Sequence, residues 1–93
     1  MATISGQKTV SNHGTAEPLH EGLVVNGPVM VKALAANTDA IYIGQVDGDV
    51  ASDSGLELAA GEVVVFSNVG NLMEIWVDSA VDGEGVAWLL LSI

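Results

Sequence analysis

The chain has 93 residues, of which 49% are hydrophobic, and twelve acidic residues against two lysines and no arginine give it a formal charge of -10. Nucleic-acid binding needs clustered Lys and Arg, and an anionic membrane surface repels so acidic a chain, so we expect neither partner. The absence of cysteine excludes disulfide scaffolds, zinc–thiolate sites and thiol catalysis. The length fits a single domain.

The mean hydropathy of +0.47 is high for a small protein. No apolar run approaches the ~20 residues of a membrane-spanning helix. The first ten residues lack the charged and apolar regions of a secretory signal, so we expect synthesis in a cytoplasm. The excess apolar surface is expected to enter a core and contacts between copies of the chain.

Short β-rich runs separated by turn residues predict an all-β fold, because no sustained i, i+3, i+4, i+7 apolar pattern indicates a helix. Residues 1–7 are small and polar and are predicted to form a flexible N-terminal arm, followed by one β-sandwich domain over 8–93. This pattern is typical of a small antiparallel β-sandwich or jelly-roll-like fold. The eight candidate strands are 8–12, 15–20, 28–36, 41–46, 55–58, 62–68, 71–79 and 85–93.

Turn residues predict how some of these strands connect. Asn26-Gly27 is a turn signal before strand 28–36. The sequence NTDA at 37–40 predicts a hairpin between 28–36 and 41–46, and AAG at 59–61 predicts a tight turn.

The last candidate strand is apolar on both faces. Val86, Trp88 and Leu90 lie on one face, and the other carries Ala87, Leu89, Leu91 and Ile93. A two-layer sandwich covers only one face of a strand from inside, so we expect the other to meet another subunit. The candidate interface residues are Trp76, Val86, Trp88, Leu89, Leu90 and Leu91.

Asp47, Asp49 and Asp53 raise the question of a metal-binding loop. An EF-hand counted from Asp47 needs oxygen ligands at positions 1, 3 and 5, Gly at 6 and Glu at 12. Ala51, Ser52 and Leu58 occupy positions 5, 6 and 12, so the pattern fails at three places. Asp, Gly and Ser also dominate ordinary turns. The stretch is therefore predicted to be a solvated loop without a metal, and a weak calcium site is the alternative.

The two histidines offer a second possible metal site. His13 and His20 lie near Glu17 and Glu21, and two His with a carboxylate can hold a divalent ion. If 15–20 is a strand, however, Glu17 and His20 point to opposite faces. Two surface imidazoles are the prediction.

Other chemistry has little support in the sequence. GQKT at 6–9 lacks the earlier glycine of a phosphate-binding loop, and no GxSxG nucleophile motif is present. We expect no enzyme, no catalytic residue and no cofactor. Trp76 and Trp88 lie inside apolar runs and are predicted to be buried in the core or an interface, with a sugar-binding platform as the alternative.

Three stretches together, VKALAANTDAIYIGQV, GLELAAGEVVVF and NLMEIWVDSAVDGEGVAWLLL, resemble small virion proteins of tailed bacteriophages. The resemblance covers roughly residues 28–93. It rests mainly on turn residues and apolar alternation. The elements that carry it are Asn37-Thr38, Ile41 to Gly44, Gly55 with Leu58 and Gly61-Glu62, Asn71-Leu72 with Ile75 and Val77, and Gly83 to Val86.

This resemblance implies a small β-sandwich or jelly-roll module that decorates a capsid or builds a tail or fibre. The expected function is capsid decoration (a cement protein) on the outer surface of the virion. The expected partners are the major capsid protein and further copies of the chain, as a trimer ahead of a dimer. The alternatives are a tail, neck or fibre module and a carbohydrate-binding β-sandwich.

Overall fold

A computed structural model describes residues 5–20, 22, 24–44 and 55–91. These residues form eight strands and one turn of 3-10 helix, and no helix among them is long and apolar enough to span a membrane. The all-β prediction is confirmed. The strands are β1 (Ser5–Thr9), β2 (Glu17–Pro18), β3 (Val24–Ala33), β4 (Ile41–Gly44), β5 (Leu56–Leu58), β6 (Val63–Asn71), β7 (Trp76–Ser79) and β8 (Gly85–Leu90).

The strands build two four-stranded antiparallel sheets, in the orders β1-β8-β3-β6 and β2-β7-β4-β5. Four of the pairings nest inside one another along the chain: β1 with β8, β2 with β7, β3 with β6, and β4 with β5. Rolling one long antiparallel hairpin into two layers produces this order. The fold is a β-sandwich with jelly-roll topology.

The core lies between the two sheets and is built by alternation along their strands. From the first sheet, β3 and β8 contribute every second residue, and from the second sheet β4 and β7 do the same. These side chains form one contiguous apolar cluster. Its members include Val29, Val31, Ala33, Val86, Trp88 and Leu90 from one sheet, and Ile41, Ile43, Leu58 and Val77 from the other.

The predicted hairpin between 28–36 and 41–46 is wrong. β3 and β4 lie in different sheets, and the residues between them carry the chain across the sandwich. A hydrogen-bonded turn lies just before the predicted one, because the N–H of Asn37 donates to the carbonyl of Leu34 at 3.0 Å. The partners of β3 are instead β6 and β8, which come much later in the chain. A local turn signal therefore identifies a reversal but not the strand's neighbour.

Two further local predictions differ from the structure. Asn26-Gly27 lies inside β3, where a register shift against β6 marks an irregularity and Asn26 has a φ of 49°. Candidate strand 71–79 is interrupted by a 3-10 turn at Leu72–Glu74, and only Trp76–Ser79 is a strand. Asn71 and Glu74 form a capping box that favours this turn over continued extension.

The predicted arm at 1–7 is shorter than expected where the structure describes it. Ser5 to Gln7 belong to β1 and pair with Leu89, Trp88 and Ala87 of β8. A Cβ atom at Gly6 would lie 2.7 Å from Cζ2 of Trp88, so this glycine lets β1 lie closely over the indole. Residues 1–4 lie outside the described part of the chain.

Candidate interaction surface

The outer face of sheet β1-β8-β3-β6 is an apolar surface that the domain itself does not cover. The strand register aligns its side chains in two rows across all four strands. The first row runs Ser5, Leu89, Met30, Val65, and the second runs Gln7, Ala87, Lys32, Val63. Leu91 follows β8, and its N–H donates to the carbonyl of Pro28 at 3.0 Å. We call these nine residues the acid-free face (Ser5, Gln7, Met30, Lys32, Val63, Val65, Ala87, Leu89 and Leu91).

The apolar side chains of the acid-free face are well exposed at its β6 edge and beside β8. Val63, Val65 and Leu91 expose 47%, 51% and 46% of their surface. None of the nine residues is acidic, although the chain has twelve acidic residues. Lys32 is the only charged side chain of the face, and it makes no ion pair within the described residues. The face is therefore apolar with one positive charge.

The outer face of the other sheet carries two carboxylates among aromatic and small residues, and of the two only Glu57 is exposed. Asp78, Tyr42 and Glu57 are aligned across β7, β4 and β5. Desolvation raises the pKa of the Tyr42 hydroxyl, and the negative charges of Glu57, Asp39 and Asp78 raise it further. The carboxylate of Asp78 is buried and accepts the N–H groups of Gly14 at 3.0 Å and Ser79 at 2.8 Å. The exposed charge on this face is therefore the negative one of Glu57, whereas the acid-free face carries the positive one of Lys32.

The structure divides the six candidate interface residues into three groups. Val86, Trp88 and Leu90 point into the core and expose at most 8% of their surface, so they cannot form an intersubunit contact. Leu89 and Leu91 lie on the acid-free face and remain candidates. Trp76 lies on the outer face of the other sheet, partly buried, beside Pro18 and Gly44.

The two tryptophans have different surroundings. Trp88 is 6% exposed and belongs to the core cluster, which confirms its predicted burial. Trp76 is half-buried, and its Nε1 donates to the carbonyl of Met73 at 2.9 Å. That hydrogen bond fixes the indole against the 3-10 turn. Of the two tryptophans, only Trp76 presents a ring to the surface.

The histidines do not share a site with Glu17. The side chain of His13 contacts Asp82, with 2.6 Å between Nδ1 and Oδ1, and its backbone N–H donates to the same oxygen at 2.7 Å. These hydrogen bonds hold the pKa of Asp82 below its usual range. His20 is exposed and meets Trp88 edge-on. Glu17 pairs with Lys8 at 2.8 Å across the two sheets.

Several residues that carry the virion-protein resemblance form one hydrogen-bonded cluster. Glu84 accepts from the backbone N–H and the hydroxyl of Thr38 and from the N–H of Asp39. Asn37 donates to the carbonyl of Gly85 at 2.8 Å and accepts its N–H at 3.1 Å. The cluster ties the β3–β4 connection to the start of β8. Its groups satisfy one another, so its role is structural.

Chemical sites are few in the described part of the chain. No group of three His, Cys, Asp or Glu side chains there lies close enough to hold a metal ion. A recess lined by Ile43, Phe66, Ile75 and Glu74 has a volume of about 150 Å³, below the ~300 to 1,000 Å³ of ligand pockets. A wider, more open recess of about 330 Å³ lies on the acid-free face itself. The predicted solvated loop with Asp47, Asp49 and Asp53 lies outside the described residues.

The sequence interpretation missed six members of the acid-free face: Ser5, Gln7, Met30, Lys32, Val63 and Val65. In β3, Met30 and Lys32 alternate with the buried Val29 and Val31, and this alternation was a usable signal. In β6, three consecutive valines place apolar side chains on both faces of the strand, as the apolar run of β8 does. Only the register shows that the two strands share one surface with Leu89.

The chain matches no protein-family model, and no curated protein matches it.

Proposed function

We propose that the protein is a capsid decoration (cement) protein of a tailed bacteriophage that binds the outer shell and stabilises the particle. The observation that supports this best is the exposed apolar, acid-free sheet face on a chain that is otherwise rich in carboxylates. A domain with an apolar face available for contacts and carboxylates elsewhere is suited to repeated assembly on a surface. Jelly rolls also serve as viral capsid domains.

The mechanism of this role is binding alone. A protein that binds only the assembled shell stabilises that shell through its binding free energy. Apolar surface of the assembled copies would be buried across the seams between capsomers. The opposite side of the domain, with Glu57 and Asp39, would point outward, away from the packaged DNA. The partners in this proposal are the major capsid protein and other copies of the chain.

A trimer is the oligomer that we favour over a dimer. Closed symmetric assemblies dominate among soluble oligomers. A trimer matches the local threefold positions of an icosahedral shell, so that each of its subunits meets an equivalent capsid contact. The proposed location is the outer capsid surface, after synthesis in the host cytoplasm.

Purified virions test this function directly. The protein band is quantified against the major capsid protein in particles from the phage that encodes the chain. Hundreds of copies per particle support decoration, whereas a few to tens of copies place the protein in a tail, neck or fibre. Shells that carry no copies overturn the decoration role.

A tail, neck or fibre module is the main alternative, since the same fold and acid-free face suit any repeated contact in a virion. A carbohydrate-binding β-sandwich is the alternative from another class, and the half-buried Trp76 beside Tyr42's strand favours it. A sugar array with the wild-type protein and Trp76→Ala separates it from the structural roles. Binding that disappears in the variant would favour the lectin.

A further inference from the structure

We propose that the acid-free face is the surface through which copies of this chain associate with one another. The inference rests on the surface of the isolated domain and does not depend on the proposed role in a virion. It also commits to one kind of occupant, other copies of the same chain.

Electrostatics favours this surface over the rest of the domain. Each copy carries a formal charge of -10, so two copies repel each other when carboxylates approach carboxylates. Contact through the sheet β2-β7-β4-β5 would place Glu57 and its neighbours against like charges. Contact through the acid-free face brings together side chains among which Lys32 is the only charged one. Electrostatic repulsion between two copies is therefore weakest when they meet through the acid-free face.

The shape of the face also fits a copy of itself. Its side chains form two parallel rows on a four-stranded sheet, and sheets of this kind pack face to face about 10 Å apart. Met30, Leu89 and Val65 form the continuous apolar row. The long stem of Lys32 can lie along this row while its ammonium group reaches the rim. Lys32 makes no ion pair within the described residues. In the assembly, its ammonium group would pair with a carboxylate at the edge of the adjoining copy.

The size of the face predicts how strong the association is. Four strands about 4.8 Å apart and five residues of about 3.3 Å each give a footprint of about 320 Å². A standard interface buries about 800 Å² on each partner. The face by itself therefore supports a reversible, concentration-dependent oligomer, with two copies stacked across a twofold axis or three copies turned toward a threefold axis.

Sedimentation of the purified full chain over a range of concentrations tests the proposal. We expect a dimer or trimer that dissociates on dilution and strengthens at high salt, because salt screens the repulsion between the acidic surfaces. Leu91→Asp and Val65→Asp each place a carboxylate on the acid-free face. Each should weaken association by about tenfold or more, because a charge must then be buried in an apolar contact.

The chain offers closely matched control positions away from this face. Leu56, on β5, exposes 48% of its surface against 46% for Leu91, and Val81 exposes 40% against 51% for Val65. Leu56→Asp and Val81→Asp should leave association within about twofold of wild type, since exposed substitutions change little. A wild-type chain that stays monomeric at every concentration overturns the proposal. Control variants that dissociate as readily as the face variants overturn it too.

Crosslinking gives a second readout that needs no destabilising charge. The chain has no cysteine, so Leu91→Cys and Leu56→Cys each create a single thiol. A short thiol-specific crosslinker should join copies through Leu91→Cys and not through Leu56→Cys. The reverse pattern contradicts the proposal. Because both experiments use the isolated protein, their failure is distinct from the absence of the protein from virions.

Discussion

The buried carboxylate of Glu84 is hydrogen-bonded to Thr38, with 2.6 Å between Oε2 and the threonine Oγ1. The backbone N–H of Thr38 donates to the same oxygen, and the N–H of Asp39 donates to the other one at 3.1 Å. Thr38 lies where the chain crosses from one sheet to the other, and Glu84 lies just before β8. The Glu84 side chain therefore holds the β3–β4 connection against the start of β8.

Low pH should weaken the hydrogen bonds between Glu84 and the β3–β4 connection. The hydrogen bonds from Thr38 hold the pKa of the Glu84 carboxyl below its ordinary value of 4.5. A carboxyl whose pKa is lower in the folded state than in the unfolded state stabilises the fold. This stabilisation is fully present above the unfolded-state pKa and is lost as the pH falls through the folded-state pKa. The pKa of Asp82 is lowered as well, through its bonds with His13. We expect the melting temperature to fall as the pH drops below about 4.5.

Glu84→Gln tests this assignment. The variant should melt several degrees below wild type at neutral pH, because a neutral amide accepts weaker hydrogen bonds than a carboxylate. Its melting temperature should also vary less with pH between 5 and 2. Glu57→Gln, at an exposed position of β5, is the control. A Glu84→Gln variant with the full acid sensitivity of wild type contradicts the assignment.

Gly85→Ala should destabilise the domain strongly. A Cβ atom at this position would lie 2.3 Å from the carbonyl oxygen of Lys8 in the neighbouring β1, and that backbone atom cannot move aside without disturbing the strand pair. We expect a loss of about 2 to 3 kcal/mol in the free energy of unfolding, measured by urea denaturation. At Gly22 a Cβ atom meets no atom of the described residues within 4 Å, so Gly22→Ala should be close to neutral. Equal effects of the two substitutions would argue against this close approach.

The two tryptophans should differ in fluorescence. Trp88 is buried in the core, and its Nε1 has no hydrogen-bond acceptor among the described residues. In Trp76→Phe, where only Trp88 emits, we expect blue-shifted emission that iodide and acrylamide quench poorly. The wild-type spectrum should be quenched more because Trp76 is half-exposed. Readily quenched emission from the variant would place Trp88 in water and contradict the core assignment.

The loop with Asp47, Asp49 and Asp53 remains a prediction from sequence. Three of the five EF-hand positions examined lack the required residue, so calcium should bind weakly if at all. We expect a thermal melt of the full chain to shift by less than a few degrees when calcium is added to submillimolar concentration. Magnesium at equal concentration is the control for a general ionic effect. A calcium-specific rise of many degrees would show a metal site.

Local pattern determined much of the secondary structure. The β-rich runs at 28–36 and 85–93 identified β3 and β8 as strands. In β8 the sequence also separated the two faces, because successive side chains in a strand point in opposite directions. The apolar run of β8 also indicated that one face of this strand is covered by a contact outside the core. The turn at 59–61 was equally local: Gly61 has a φ of 83°, and the N–H of Glu62 donates to the carbonyl of Ala59.

Strand neighbours were decided by the tertiary structure alone. Alternation states which residues share a face of one strand, but it does not say which strand lies beside another. The sequence therefore placed β3 and β4 in a hairpin, whereas the jelly roll pairs β3 with β6 and β8. The same pairing brings Leu89, Met30 and Val65 into one row. The acid-free face exists only because strands distant in sequence lie side by side.

The hydrogen-bonded cluster around Glu84 also combines local elements that the sequence shows with a contact that only the tertiary structure shows. Asn37-Thr38 and Gly83 to Val86 were visible in the sequence as two separate turn elements. Their contact spans 46 positions of the chain, and no local pattern reports a hydrogen bond over that distance. Strand formation depends on the order of neighbouring residues, and the sequence determined it here. Which surfaces meet depends on how the whole chain is rolled, and only the folded domain decided that.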